Sequence, residues 1–348
     1  MDNCMKKVLF VGLGGVGQRH LRNLKLIKGD SVELFAYRIR KEQMVLNDKL
    51  EVIKDETLEE KYSICCVASL EEGFEKGVDT VLICNPTSMH LEVLKKCIMN
   101  NCNIFIEKPI SHSLDNFQYI NEYLKNYNRV LFVGYQNRYH PCIQKLKKFL
   151  EQKKIGRVVS VNAEIGECVK HWHKYEDYRR MYACRKDLGG GVIVTQIHEL
   201  DYLYYLFGMP QKVYAVGGKL SDLEIDVEDV VDILMTYNMD SFTIPVMVHE
   251  DYLQTPARRR CRVVGTEGKI EIDLLESKIN LYDSNGELAF QETYHFNRND
   301  MFVDEMKDFI ACIEENKEAT ISFDDGIKSL EIAMAAKASL ERGCLIEL

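Results

Sequence analysis

"KKVLFVGLGGVGQRHLRNL", from Lys6 to Leu24, decides how the rest of the chain is read. A strand-like run, Lys7 to Val11, leads into Gly12, Gly14 and Gly17 and then into a helical period. Glycines at this spacing between a first strand and a first helix divide the work: Gly12 permits the tight turn, Gly14 lets backbone approach a pyrophosphate, and Gly17 lets helix lie close to strand. Gly15 and Val16 open a helix whose free N–H groups face the phosphates. The same spacing also suits a turn with no ligand, so the neighbouring units have to choose.

From residue 7 to about 134 short β-branched runs alternate with helical periods. The pattern predicts strands at Lys7–Val11, Val32–Tyr37, Ile64–Val67, Thr80–Cys84, Asn103–Ile106 and Val130–Gly134. Helices fill the intervals, notably Leu91–Met99 behind the capping candidates Asn85 and Thr87. Short buried strands joined by crossover helices imply a doubly wound parallel sheet covered on both faces. After about residue 155 longer alternating strands follow, such as "EDVVDILMTYN" and "FTIPVMVHEDYL", without crossover helices between them. The expectation is an α/β chain of two domains. A Rossmann domain spans 1–134, and an α+β domain with a large, mostly antiparallel open sheet spans 135–348, closed by helices at Asp300–Ile313 and Gly326–Ser339. Long strands with few helices to cover them predict that one face meets a second subunit, in a homodimer or homotetramer.

Composition excludes several classes. A net charge of −9 repels nucleic acid and anionic membranes. No apolar run approaches the roughly 20 residues of a membrane span, and the N-terminus has no signal-peptide h-region, which predicts a cytoplasmic protein. Twelve cysteines contain no C-x-x-C pair, and Cys65, Cys66 and Cys84 lie in apolar runs, so reduced, mostly buried thiols are expected. Cys168, His171 and His173 match no familiar ligand spacing, and no metal is expected.

The end of the second strand chooses the dinucleotide. An acidic residue there accepts from a ribose 2′-OH, whereas arginine favours a 2′-phosphate. The sequence reads "ELFAYRIRKE", with Tyr37 and Arg38 in that place and Arg40 and Lys41 behind. This favours NADP, with NAD as the alternative; a solvated basic loop is the competing reading.

Further stretches share one pattern: "ICNPTSMHLEVL" (Ile83–Leu94), "IFIEKPIS" (Ile104–Ser111), "VGYQNRYHP" (Val133–Pro141), "GGGVIVTQIHELDYLYYLFG" (Gly189–Gly208), "VVGTEGKIEID" (Val263–Asp273) and "FVDEMKDFIACI" (Phe302–Ile313). Over nearly its whole length the chain resembles the Gfo/Idh/MocA oxidoreductases, the family of glucose-fructose oxidoreductase and inositol dehydrogenase, including members that oxidise nucleotide sugars. The resemblance implies a hydride transferred between a nicotinamide and a carbinol carbon of a sugar, sugar derivative or nucleotide sugar. It makes Lys108 a contact of nicotinamide ribose and substrate hydroxyl, and His198 the catalytic histidine. It further implies cofactor contacts from Cys84, Asn85, Pro86, His90, Glu107 and Gln136, and substrate contacts from Arg138, Trp172, His173 and Thr195.

The stretch after Gly191 reads as one helix with a core stripe of Ile193, Ile197, Leu200, Tyr204 and Phe207, ending at Gly208. His198 falls on its polar face, and an imidazole that titrates near neutral pH suits a general base. One departure stands out: the family's Asp-x-x-x-His pattern has Val194 in place of the aspartate, and Thr195 is the nearest polar substitute. The preceding segment, Gly166–Gly191, is dense in aromatic, histidine and arginine residues, which suits a polyhydroxylated ligand or a subunit contact. Two other functions are compatible with the fold: a redox-assisted glycosidase or lyase that returns its hydride, and a non-catalytic dinucleotide-binding regulator.

Overall fold

The computed structural model describes residues 5–39, 44–115, 117–239 and 242–348. Arg40 and Lys41, part of the basic stretch above, lie outside the described residues.

The N-terminal half is built on β1 (Lys7–Val11), β2 (Glu33–Tyr37), a small hairpin of β3 (Val45–Leu46) and β4 (Val52–Ile53), then β5 (Cys65–Val67), β6 (Thr80–Ile83), β7 (Asn103–Glu107) and β8 (Leu131–Gly134). Apart from the hairpin these form one sheet in the order β5-β2-β1-β6-β7-β8, every pairing parallel. Residues throughout β6 and β7 are buried because helices cover both faces, as the continuous apolar runs imply. Those helices are α1 (Gly15–Lys28), α2 (Leu58–Tyr62), α3 (Leu70–Glu75), α4 (His90–Met99) and α5 (Phe117–Leu124). β5 is an edge strand, and Cys65 and Cys66 on it are exposed, contrary to the expectation of buried thiols; Cys84, in the middle of the sheet, is buried. All the described cysteines are unpaired. Neither Asn85 nor Thr87 caps α4: a 3-10 turn, Thr87–Met89, runs directly into it, and no side chain caps the junction.

After α6 (Pro141–Glu151) the second half is a nine-stranded sheet. Its strands are β9 (Val158–Gly166), β10 (Lys212–Gly218), β11 (Val230–Met239), β12 (Phe242–Asp251), β13 (Arg258–Gly265), β14 (Gly268–Asp273), β15 (Lys278–Asp283), β16 (Leu288–Thr293) and β17 (Ile346–Glu347). The order is β16-β15-β14-β13-β9-β12-β11-β10-β17; β9 and β12 run parallel and the other pairs antiparallel. Alternation along β11 is strict: Val231, Ile233, Met235 and Tyr237 are buried while Asp232, Leu234 and Thr236 face the other way.

Four helices complete this half: α7 (Val192–Thr195), α8 (His198–Phe207), α9 (Arg298–Glu314) and α10 (Phe323–Arg342). α8 and α10 cover the buried face of the sheet, and α9 turns back onto α1, where Asn299 donates to Asn23 at 2.9 Å. Gly326 brings α10 against the end of the first sheet, since a Cβ there would stand 2.9 Å from Ile110. The single helix expected after Gly191 is two. The chain breaks at Gln196–Ile197, where the Gln196 amide donates to the carbonyl of Asp251, so His198 becomes the first residue of a new helix.

Candidate active site

The glycine turn has the form its spacing implies. Gly12 has φ +89°, and a Cβ on it would lie 2.9 Å from the backbone of Cys84 and Asn85. A Cβ on Gly17 would lie 2.3 Å from the Gly12 carbonyl, so only glycine lets α1 start this close to β1. Gly14 is different: a Cβ there meets no protein atom within 4 Å. It caps α1 with no side-chain acceptor, and the first turn holds no acidic residue. Gly14 thus leaves its side-chain position clear at the positive end of a fourteen-residue helix, which fits a dinucleotide pyrophosphate. The Tyr175 hydroxyl comes within 3.0 Å of where a Gly15 side chain would begin, so the segment before α7 reaches over this turn.

At the end of β2 the Gly12 N–H is tied to Tyr37 O, and the Arg38 guanidinium pairs with Glu59 of α2, which also accepts from the Cys66 thiol at 2.9 Å. An acidic group thus does stand beside this strand end, supplied from α2.

β7 delivers Glu107 and Lys108 at the carboxyl edge of the parallel sheet, where open α/β sheets bind ligands. Glu107 is engaged on both oxygens, by His20 Nε2 at 2.6 Å and by the Lys108 backbone N–H at 3.2 Å. His90 is a brace as well, its ring nitrogens 2.9 Å from the Pro109 carbonyl and 2.8 Å from that of Asn85. It holds the Asn85–Pro86 loop against the turn after Lys108. Lys108 Nζ donates to the Thr195 carbonyl at 2.8 Å. Burial pulls this amine down to about 8, against the pull of Glu107 in the other direction.

His198 meets Gln136 across the gap between the two sheets, Nε2 to Nε2 at 3.0 Å. With the Gln136 amide donating, the Nε2 lone pair is the acceptor and the ring proton sits on Nδ1. Burial, followed by the positive charges of Lys108, Arg259 and Arg298, holds the imidazole well below its ordinary value. Its place at the positive end of α8 acts in the same direction. His198 is therefore a neutral base across the neutral range rather than a group titrating within it, and Lys108 is the one that titrates near neutrality.

Buried polar atoms without protein partners gather here: Asn85 Oδ1, Gln136 Oε1, Trp172 Nε1, Thr195 Oγ1 and His198 Nδ1. Buried donors and acceptors are almost always satisfied, so this concentration fits a ligand rich in hydroxyl and amide groups. Two expected substrate contacts are engaged within the protein. Arg138 is buried in a two-bond pair with Asp201 (3.0 and 2.7 Å) and reaches Asp325 at 3.3 Å. His173 is paired with Glu176 at 2.8 Å and stacked on Tyr175. Trp172 packs edge-on against Tyr252 with its N–H turned inward. Val194, in the aspartate's place in the sequence, is buried in the core. The nearest acid in sequence, Glu199, has both oxygens held by Arg259 at 2.7 and 2.9 Å. Among the described residues no group of three or more His, Cys, Asp or Glu is placed to hold a metal ion, and no helix is long and apolar enough to cross a membrane.

Comparison with known proteins agrees with this geometry. Residues 6–135 match the family model described as "Oxidoreductase family, NAD-binding Rossmann fold", and residues 147–348 match "Oxidoreductase family, C-terminal alpha/beta domain". The chain is 28% identical to a myo-inositol 2-dehydrogenase of Thermotoga maritima over 344 residues, 97% of each chain. It is 26% identical over 204 residues to a 2,7-anhydro-N-acetylneuraminate hydratase of Escherichia coli, covering 58% of this chain and 53% of that one. The structure of a levoglucosan dehydrogenase in complex with NADH and levoglucosan has the same fold, with a TM-score of 0.80 at 16% identity over 98% of this chain and 99% of that one. Glycine turn, Lys108 and His198 thus sit in a chain matched by both family models, which belongs to the Gfo/Idh/MocA oxidoreductases, the family of sugar and inositol dehydrogenases with an NAD(P)-binding fold.

Proposed function

We propose that this protein is an NAD(P)-dependent dehydrogenase that moves a hydride between a nicotinamide and a carbinol carbon of a sugar, sugar derivative or nucleotide sugar. The observation that carries the reading is the meeting of a neutral His198 imidazole with a Lys108 amine poised near neutrality, between a dinucleotide turn and a set of unpartnered buried polar atoms. A dinucleotide bound along Gly12–Gly17 supplies the hydride acceptor or donor. The chain's own residues handle the proton. In the oxidising direction the substrate hydroxyl donates to the His198 Nε2 lone pair, taking the place of the Gln136 amide, and the Lys108 ammonium donates to the same oxygen as negative charge gathers on it. The Thr195 carbonyl keeps the lysine turned toward that point, and the Thr195 hydroxyl and Trp172 N–H offer contacts to neighbouring hydroxyls.

NADP is the proposed dinucleotide, on Arg38, which Glu59 holds at the end of β2. Residues 1–134 serve as the dinucleotide-binding domain and 135–348 as the substrate and oligomerisation domain. The outer face of the large sheet, with Tyr214, Val216, Leu234 and Met247 all between 37% and 49% exposed, supports a homo-oligomer of two or four subunits. Unpaired thiols support a cytoplasmic, reducing compartment.

A panel of free sugars, cyclitols and nucleotide sugars, offered with NAD+ and NADP+ and followed by nicotinamide absorbance, tests the reading. Reduction of the dinucleotide by at least one panel member is expected; none across the panel contradicts it. The likeness to the hydratase favours a second reading, a lyase or hydratase that takes the hydride and returns it. That enzyme would convert its substrate with no net change in the dinucleotide.

A further inference from the structure

We propose that His20 is a positioning residue for Lys108, acting through Glu107, so that the helix carrying the glycine turn also fixes the charge beside the lysine. This rests on Lys108 being the lysine of the reaction, as proposed above.

His20 lies on α1, one turn beyond Gly17, and is fully buried. Its Nε2 is 2.6 Å from Glu107 Oε1, while the other Glu107 oxygen accepts the Lys108 backbone N–H. The ring is held edge-on by Phe105 at 4.8 Å and Phe302 at 6.0 Å, and Arg19 stacks on the far partner, Phe302, at 4.6 Å. An N–H aimed at a buried carboxylate favours its ionised form, and an ionised carboxylate favours a neighbouring ammonium.

The surroundings leave Glu107 as the acid that matters most for Lys108. The titratable and charged groups facing Lys108 are Glu107 beside it in the chain, Glu199 and the neutral His198 of α8, Arg259 of β13, Arg298 of α9, and Glu250 of β12. Glu199 has its charge cancelled by the two-bond contact with Arg259. Glu250 is fully buried without a partner, and burial favours its neutral form. Around Glu107 itself stand His20 and Arg19 of α1, Cys84, His90 and Tyr182, and Glu305 of α9. Glu305 is buried and unpartnered, which favours its neutral form, whereas each Glu107 oxygen has a partner. Without the His20 donor, one buried Glu107 oxygen would be left unpaired, and the carboxylate that raises the Lys108 amine would lose the contact that fixes it in place.

The test reads the lysine directly and needs no substrate. The intact protein is labelled with acetic anhydride across a pH series, and acetylation of Lys108 is followed by peptide mass spectrometry. The wild-type midpoint is expected near 8. In Glu107→Gln, and in His20→Phe, which keeps the aromatic packing, the midpoint should fall by about 1 pH unit, the size of effect one close charge produces. His20→Gln restores an N–H donor and should return the midpoint toward wild type. An unchanged midpoint in His20→Phe overturns the proposal, whether or not Glu107→Gln moves it. Should His20→Phe fail to fold by circular dichroism, His20→Met, which also lacks an N–H donor, is read in its place. A Lys108→Met variant with wild-type turnover would instead defeat the reading of Lys108 in the reaction, a separate outcome from the labelling midpoints.

Discussion

Lys108 Nζ donates to the Thr195 carbonyl across 2.8 Å, joining the end of β7 in the first sheet to α7 against the second. Thr195 is the last residue of α7, and His198 opens α8 three residues later. One short segment therefore aims the lysine and presents the histidine, so the distance between the two proton-handling groups depends on the break at Gln196–Ile197.

The two groups predict a particular pH profile for alcohol oxidation. His198 is held below its ordinary 6.5, so its base form persists down to acid pH and the acid limb lies below that value. Lys108 is lowered from 10.5 to about 8, so its ammonium is lost as pH rises through 8 and turnover falls there. Lys108→Arg keeps a proton at all these pH values and should move the alkaline limb out of range while lowering the rate. An alkaline limb that stays near 8 in Lys108→Arg would assign it to another group.

Gly14 and Gly17 should separate binding from folding. Gly14→Val places its side chain where no protein atom lies within 4 Å, so the melting temperature should hold while dinucleotide affinity drops at least tenfold. Gly17→Ala forces a Cβ onto the Gly12 carbonyl and should cost about 1–3 kcal/mol of stability. Thermal melts and dinucleotide titrations of both variants check this pair of outcomes; equal affinity in Gly14→Val and wild type would remove the pyrophosphate from the turn.

Arg38→Ala should weaken NADP(H) by roughly tenfold or more, about 1.4 kcal/mol, and leave NAD(H) nearly unchanged. Calorimetric titration of both dinucleotides measures the ratio. Tenfold tighter binding of NAD(H) by the wild type would overturn the NADP assignment and point to Glu59 as the group that meets the ribose.

Arg138→Leu should unfold the protein rather than impair substrate binding. It strands the buried Asp201 carboxylate, which among the described residues is otherwise bonded only to Ser329, and breaking a buried pair costs about 3–5 kcal/mol. Denaturant melts report the loss. A stable variant with only a raised KM would return Arg138 to the substrate.

The parallel sheet was legible because its central strands, β6 and β7 above all, are buried on both faces and read as continuous apolar runs; Lys7–Val11 has the bounds its sequence suggests. The later strands β15 and β16, the second of them at the sheet edge, were not, since half-exposed strands such as Leu288–Thr293 carry little apolar signal. At the site, Lys108 and His198 stood out through motifs, but their electrostatics did not. The break before His198 depends on Asp251, 55 residues away, and the fate of Arg138 depends on Asp201, 63 residues away. Glu59 beside Arg38 and Tyr175 above Gly15 are likewise meetings of separate segments. The alternation of acid and base around Glu59 offered no local signal. For Tyr175 the aromatic density of its segment was a hint without an address.

The central claim is that His198 takes the substrate proton as the hydride leaves. Single-turnover reduction of bound dinucleotide, with a substrate identified from the panel, tests it in wild type and His198→Ala. The account predicts unchanged dinucleotide affinity and a rate lower by roughly 10²- to 10⁴-fold, the usual contribution of a positioned acid–base group. A near wild-type rate in His198→Ala across pH 6 to 9 would contradict it and leave the proton to Lys108 or to Tyr135, whose ring lies 6.0 Å from the imidazole.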